Sequence, residues 1–425
     1  MIQTLRNAWR IEEIRKKILF TLLIVLLYRI GNAIPVPFVN TALLQQYFSY
    51  LQNTALGLLD AMSGGSFSNA TIFALSIQPY INASIIIQLL CIAIPALERM
   101  SKEEGEEGRK KIASITRYST VAIGLLQGFG YYMLMKNNGI IVADAASSVW
   151  AAIVIILTFT SGSALIMWLG EQITEFGVGN GISIILFASI ISRFPNSVIT
   201  SIQNVINGSL SWWAAVLVFL GALALIVLIV FVNDAERRIP VQYAKRVVGR
   251  KMYGGQSTHL PMKVNMSGVM PIIFASSISS IPATIAAFTG HQNSAWAKTN
   301  TIPYAIIYLL LIIFFAYFYS TIQFNPIEVA NNLKKNGGYI PGFRPGKPTS
   351  EFIQRVLNKI TLFGAIYLGI IAVTPILISH FSNAASLTGL QLGGTSIIIV
   401  VGVALETVRA IEAQMLMRNY KGFLS

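Results

Sequence analysis

Long apolar runs alternate with short polar and charged stretches along this chain, and that alternation sets its organisation. A helix needs about 20 mostly apolar residues to cross the ~30 Å hydrocarbon core of a bilayer. Scanning for such runs predicts ten spans, at residues 18–35, 72–97, 117–135, 150–170, 181–200, 212–232, 268–288, 303–324, 360–380 and 395–413. Arg193-Phe194-Pro195 interrupts the fifth, and Glu406 and Arg409 lie near the end of the tenth.

The most informative stretch runs from Leu56 to Leu97, where a short polar segment enters an apolar one of membrane length. Leu56, Leu59 and Met62 recur at helical spacing, but Asp60 and Gly64-Gly65 leave Leu56 to Ser68 too short and too polar to span. From Ile72 to Leu97 the chain is apolar enough to cross, yet it carries Gln78-Pro79, Asn82 and Gln88. Polar groups and a proline-broken backbone at membrane depth are buried in protein or line an aqueous path. A path between helices and plain interhelical hydrogen bonding both account for this segment taken alone.

Composition agrees with a polytopic membrane protein: 425 residues, 54% hydrophobic and 11% charged, against about 25% charged in soluble domains. The formal charge of +14 is spread over several loops and so follows membrane topology rather than a nucleic-acid-binding domain. With alternate loops assigned to alternate sides, all but Arg29, Lys136, Arg193 and Lys298 of the 31 Lys and Arg fall on one side. The positive-inside rule makes that side cytoplasmic, with both termini on it. Arg6, Arg10, Arg15, Lys16 and Lys17 before the apolar run Ile18 to Tyr28 imitate a signal peptide, but no small-residue cleavage site follows and the run is read as a first span. Ten spans divide into two fives, residues 1–200 and 201–425, and an odd number per half implies inverted topology with a cavity between halves.

Two cytoplasmic loops, about 233–267 and 325–359, are too long and too charged to be simple connectors. The first holds Arg250-Lys251; the second holds Lys334-Lys335 and Pro341-Gly342-Phe343-Arg344-Pro345-Gly346, whose Pro and Gly density favours fixed turns with Arg344 at a tip. They suit contact with anionic lipid or docking of a cytosolic partner. Other motifs carry no chemistry. Gly177-Val-Gly-Asn-Gly181 leads into a span rather than a βαβ unit. The lone Cys91 and the scattered His259, His291 and His380 offer neither a disulfide framework nor a metal cluster. A charge at the bilayer centre costs ~2.5–3.5 kcal/mol and so marks function, but the predicted span centres lack titratable groups. Enzyme and ion-coupled carrier are thereby disfavoured, leaving a carrier for a neutral solute as the rival to a channel.

Several stretches resemble the SecY protein-conducting channel family, related to the alpha subunit of the eukaryotic and archaeal translocons. They are Ala74-Leu-Ser-Ile-Gln-Pro-Tyr-Ile-Asn-Ala-Ser-Ile-Ile-Ile-Gln-Leu-Leu90, Met167-Trp-Leu-Gly-Glu-Gln-Ile-Thr174 with Gly179-Asn-Gly-Ile-Ser183, Gln256-Ser-Thr-His-Leu-Pro-Met-Lys-Val-Asn265, Arg344-Pro-Gly346 and Gly393-Gly-Thr-Ser396. The resemblance implies an all-α fold of ten transmembrane helices, in two inverted pseudo-symmetric halves around an hourglass pore in the bacterial cytoplasmic membrane. It implies a mid-membrane ring of aliphatic side chains at Ile77, Ile81, Ile182, Leu186, Ile273 and Ile399. Leu186 stands where isoleucine is often found. Residues 56–69 become a plug, including Leu56, Asp60, Met62, Gly64, Gly65 and Phe67, with the glycine pair as its hinge. Spans two and three against seven and eight become a lateral gate, where Asn82 and Gln127 are candidate tuning groups or interhelical glue. Arg250, Lys251, Lys334, Lys335 and Arg344 become contacts for the SecA motor or the ribosome. SecE and SecG subunits, signal sequences, nascent polypeptides and membrane lipids are the other implied partners. No cofactor is implied, and ATP hydrolysis is expected in the motor.

Overall fold

The computed structural model describes residues 2–51, 55–102, 104–142, 148–208, 211–243, 246–248, 251–253, 257–288, 301–381 and 394–421. These are mostly helical. In the N-terminal part lie α1 (Ile2–Arg10), α2 (Glu12–Gly31), α3 (Thr41–Tyr50), α4 (Ala55–Ser63), α5 (Gln78–Ala93), α6 (Pro95–Lys102), α7 (Gly105–Asn137), α8 (Val149–Phe176) and α9 (Gly181–Ile206). Next come α10 (Trp212–Asp234) and the strands β1 (Glu236–Tyr243), β2 (Arg246–Val248), β3 (Lys251–Tyr253) and β4 (Ser257–Lys263). The chain continues through α11 (Met270–Phe288), α12 (Ile302–Gln323), α13 (Pro326–Lys335), β5 (Gly338–Tyr339), α14 (Lys347–Phe381) and α15 (Gly394–Lys421).

Local sequence explains many of the starts. Asn40, Asn180 and Asn325 sit in extended conformation and accept from the second and third following N–H groups, capping α3, α9 and α13. Ser148 and Ser211 cap α8 and α10 in the same way, each accepting from the third following N–H. Pro79 and Pro326 occupy first turns, where a missing N–H costs no hydrogen bond.

Among the described residues, five helices are long and apolar enough to cross a bilayer, and a sixth candidate joins α5 to α6 across a bend of 106°. The bend has a local cause. Ile94 precedes Pro95 and is held extended, at φ −108° and ψ 112°, because proline excludes its neighbour from the helical region. The second predicted span is thus shorter and later than hydropathy suggested: 66–77 forms turns, and helix begins at Gln78. Conversely, α9 runs unbroken through Arg193-Phe194-Pro195. The expected spans 18–35, 117–135 and 395–413 fall largely on α2, α7 and α15, helices that also carry charged residues: α2 opens with Glu12, Glu13, Arg15, Lys16 and Lys17, α7 opens with Glu106, Glu107, Arg109, Lys110 and Lys111, and α15 carries Glu406, Arg409 and Glu412.

The two long loops depart from the all-helical expectation, because they fold together. β1 pairs antiparallel with β4 from Glu236↔Lys263 to Gln242↔Ser257, and β5 joins the other edge of β1 at Gln242 and Tyr243. Ile239 and Val241 alternate with exposed neighbours and bury against Met262, Ile340, Ile353 and Leu357. The segment 233–267 and the segment 325–359 are therefore one module with its own small core. The main core is larger, and α2, α4, α5, α8, α9, α10, α11, α12, α14 and α15 all contribute to it.

Candidate functional site

Within that main core the structure gathers the aliphatic residues picked out by sequence. Ile77, Ile81, Leu186, Ile273 and Ile399 are each at most 3% exposed and belong to one continuous apolar cluster, with Ile182 packed against it. They arrive from four elements. Ile77 is the N-cap of α5 and Ile81 lies one turn on; Ile182 and Leu186 share a face of α9; α11 supplies Ile273 and α15 supplies Ile399. Met62 of α4 joins the same cluster, so the short helix packs its end into the same core.

The segment after α4 folds through a dense set of local hydrogen bonds. Ser63 Oγ donates to the Asp60 carbonyl and accepts from the Phe67 N–H, and Ser66 Oγ donates to the Ser63 carbonyl. Gly64 and Gly65 take φ of +73° and +87°, the left-handed region that favours glycine. Phe67 is the anchor. Its ring stacks on Tyr131 at 4.2 Å between centroids and meets Phe48 edge-on, while the Tyr131 hydroxyl donates to its carbonyl. Leu56 is 2% exposed and packs in the same second cluster as Phe67. Asp60 is almost wholly buried: Oδ1 accepts from the Ser68 N–H at 2.7 Å, and Oδ2 lies 3.0 Å from Arg193 Nη1.

Between this segment and the surface runs a crevice of about 140 Å³. Leu59 and Phe67 line it on one side, Gln78 and Asn82 of α5 on another, Gln127 of α7 on a third, and Ser280 and Thr284 of α11 close it. Both candidate gate residues, Asn82 and Gln127, thus face one space. Gln78 ties the walls together by donating from Nε2 to Met62 Sδ and accepting at Oε1 from Ser277 Oγ, at 3.6 and 3.3 Å. Asn82 Oδ1 is buried with no hydrogen-bond partner among the described residues. Gln78, Ser277, Tyr131 and Arg193 had escaped the sequence reading as site residues. Gln78 and Arg193 had a visible signal, being polar or charged inside predicted spans. Ser277 and Tyr131 had none.

The basic residues of the module formed by the two long loops are placed separately. Lys334 and Lys335 are exposed in the last turn of α13. Arg344 is exposed in a turn between β5 and α14 that Gly342 and Gly346 shape with φ of +86° and +104°. That turn is pinned: Phe343 stacks on Phe352 at 4.2 Å, and Thr349 Oγ1 donates to the Arg344 carbonyl. Lys251 lies in β3, and Arg250 falls outside the described residues. Arg409 of α15 holds the end of α10, where the module begins, by donating to the Asn233 carbonyl and pairing with Asp234. Burial holds the Lys263 ammonium below its ordinary value, and the Arg409 guanidinium adds to the shift.

A mostly helical membrane protein that brings these aliphatic side chains from four elements into one buried cluster, with the end of a short helix in the same cluster, defines the class. The family model for SecY matches residues 71–408, and the chain belongs to that family. The protein translocase subunit SecY of Streptomyces scabiei is 45% identical over 442 residues, and that of Mycobacterium tuberculosis (strain ATCC 25618 / H37Rv) is 44% identical over 448, each aligned over 100% of both chains. Among solved structures, one described as a protein conducting channel covers 95% of this chain and 93% of its own, at TM-score 0.67 and 17% identity. Sec61 in the canine ribosome-channel complex from the endoplasmic reticulum covers 95% and 93%, at TM-score 0.63 and 15% identity.

Proposed function

We propose that this chain is the channel-forming subunit of a bacterial protein translocase, carrying unfolded secretory polypeptides out across the cytoplasmic membrane and releasing transmembrane segments sideways into lipid. The observation that supports it best is the single cluster joining Ile77, Ile81, Ile182, Leu186, Ile273 and Ile399 to Met62 of the short helix. A narrow apolar constriction excludes water and ions by dewetting. Aliphatic side chains can close around a passing chain without sequence preference. Residues 56–69 act as the plug on that waist. The crevice between α5, α7 and α11 is the lateral gate, with Asn82 and Gln127 as its polar lining. Ten spans in two halves, 1–200 and 201–425, with both termini cytoplasmic, remain the topology that the charge asymmetry supports. The subunit is not itself an enzyme. ATP hydrolysis belongs to a SecA motor, and SecE, SecG and the ribosome are the other expected partners.

The direct test is transport of a secretory precursor into vesicles holding the purified protein with its partner subunits. Transport that depends on this chain supports the reading, and vesicles inactive for precursors but active for a neutral solute would favour the carrier. The family match over residues 71–408 weighs against that carrier. Within the same assay Arg344→Glu is expected to lower motor-driven transport at least tenfold, since a fixed exposed guanidinium recognises acidic partners. Normal transport by that variant would remove Arg344 from the docking surface.

A further inference from the structure

Asp60 is the sole charged residue between Ala55 and Gln78, and Arg193 is the sole charged residue of α9. Two lone charges on elements otherwise without any meet at 3.0 Å. Three local features arrange the meeting. The turn after α4 lies backbone against backbone on α9, where a Cβ at Gly64 would stand 2.7 Å from the Ser189 carbonyl oxygen. Gly65 N–H donates to the Asp60 carbonyl at 3.0 Å, closing the helix end. The second oxygen of the Asp60 carboxylate accepts from the Ser68 N–H, so the group that reaches α9 also holds the rest of the turn. Asp60 is 7% exposed and Arg193 41% exposed, so the carboxylate depends on this partner while the guanidinium keeps access to water.

We infer that Arg193 is a positioning residue for the plug, holding residues 56–69 on the aliphatic waist through Asp60. The inference rests on the plug reading and deepens it by naming what latches the plug. The asymmetry of burial sets the expected signs. Removing the arginine strands a buried carboxylate, whereas making Asp60 neutral leaves an amide that still accepts from Ser68 and an arginine that water can serve. Arg193→Gln is expected to raise resting ion conductance by about tenfold, short of a fully buried pair because Arg193 is part exposed. Asp60→Asn should raise it less, and adding Asp60→Asn to Arg193→Gln should lower the leak again, which a loss of packing would not do.

The experiment is conductance of the full-length channel with its partner subunits in planar bilayers, for both single variants, the double variant, and a chain lacking residues 56–69 with and without Arg193→Gln. Support requires the leak of Arg193→Gln, its relief in the double variant, and no further leak from Arg193→Gln once the segment is deleted. A deletion that leaks while Arg193→Gln does not would overturn the latch and leave the plug standing. A deletion that does not leak would overturn both. An additive effect of Arg193→Gln in the deleted chain would assign Arg193 a role elsewhere and also overturn the latch. If Arg193→Gln fails to accumulate, Arg193→Lys serves in its place: a point charge that keeps the pair is expected to hold conductance near that of the parent, and a leak equal to that of the deleted chain counts against the latch.

Discussion

Gly162→Leu is expected to prevent the folded protein from accumulating. Gly162 lies in α8, and a Cβ there would stand 2.0 Å from the Ile72 carbonyl oxygen and 2.9 Å from its carbon. The obstacle is backbone that cannot turn aside as a side chain would. Ile72 is itself fixed, since its N–H donates to the Ile34 carbonyl at 3.0 Å, beside the bridge between Pro35 and Thr71. Glycine is what lets the segment between α4 and α5 lie flat on α8, the close approach that small residues give to membrane helices. Overpacking a tight site costs about 1–3 kcal/mol and sometimes more, and this contact belongs at the upper end. Gly221→Leu supplies the control: it lies in α10 with nothing within 4 Å of its Cβ position, and leucine there should be neutral or stabilising by up to ~1 kcal/mol through helix propensity. The thermal midpoint and the monodisperse yield in detergent decide between them. Equal values for Gly162→Leu and the parent chain would mean that Ile72 does not pack as described.

What the sequence revealed and what it hid have physical reasons. The short helix α4 and the turn after it were readable because Asp60 and Gly64-Gly65 break an apolar pattern within a dozen residues, and α4 ends where the glycines begin. The hairpin was hidden. Arg237-Arg238 disguises the alternation around Ile239 and Val241, and Pro240 and Pro261 argue against strand. The fold tolerates Pro240 because β5 reaches only Gln242 and Tyr243, leaving β1 with a neighbour on one side at that point. The buried aliphatic cluster lay between these cases. Ile81 and Leu186 look like any other apolar residue by composition, and only a resemblance singled them out; their convergence needs four elements distant in sequence, which no local pattern encodes. The Asp60–Arg193 pair was hidden for the same reason, although each charge was conspicuous in its own segment.

Ile81→Thr and Ile273→Thr are each expected to raise resting ion conductance on the order of tenfold or more, the ratio that ~1.4 kcal/mol sets. Both side chains are buried, at 3% and 2% exposure, in the cluster that Met62 of α4 also joins. A hydroxyl placed in such a constriction lowers the cost of wetting it, and a wetted constriction conducts. Ile81→Val and Ile273→Val separate polarity from size, because valine and threonine share shape while differing in the hydroxyl; both should stay closed. Stability needs its own control, since any buried hydroxyl without a partner costs about 1–3 kcal/mol. Ile312→Thr provides it: Ile312 is fully buried in the same cluster, in α12 and outside the six waist positions, so it should lose stability without leaking. Conductance that rises equally for Ile312→Thr, or for the valine variants, would show that the leak follows general loosening of the core and would remove these residues from the conducting path. Conductance that rises for the threonines at Ile81 and Ile273 alone ties the barrier to an apolar lining at those positions, where a threaded chain would have to pass.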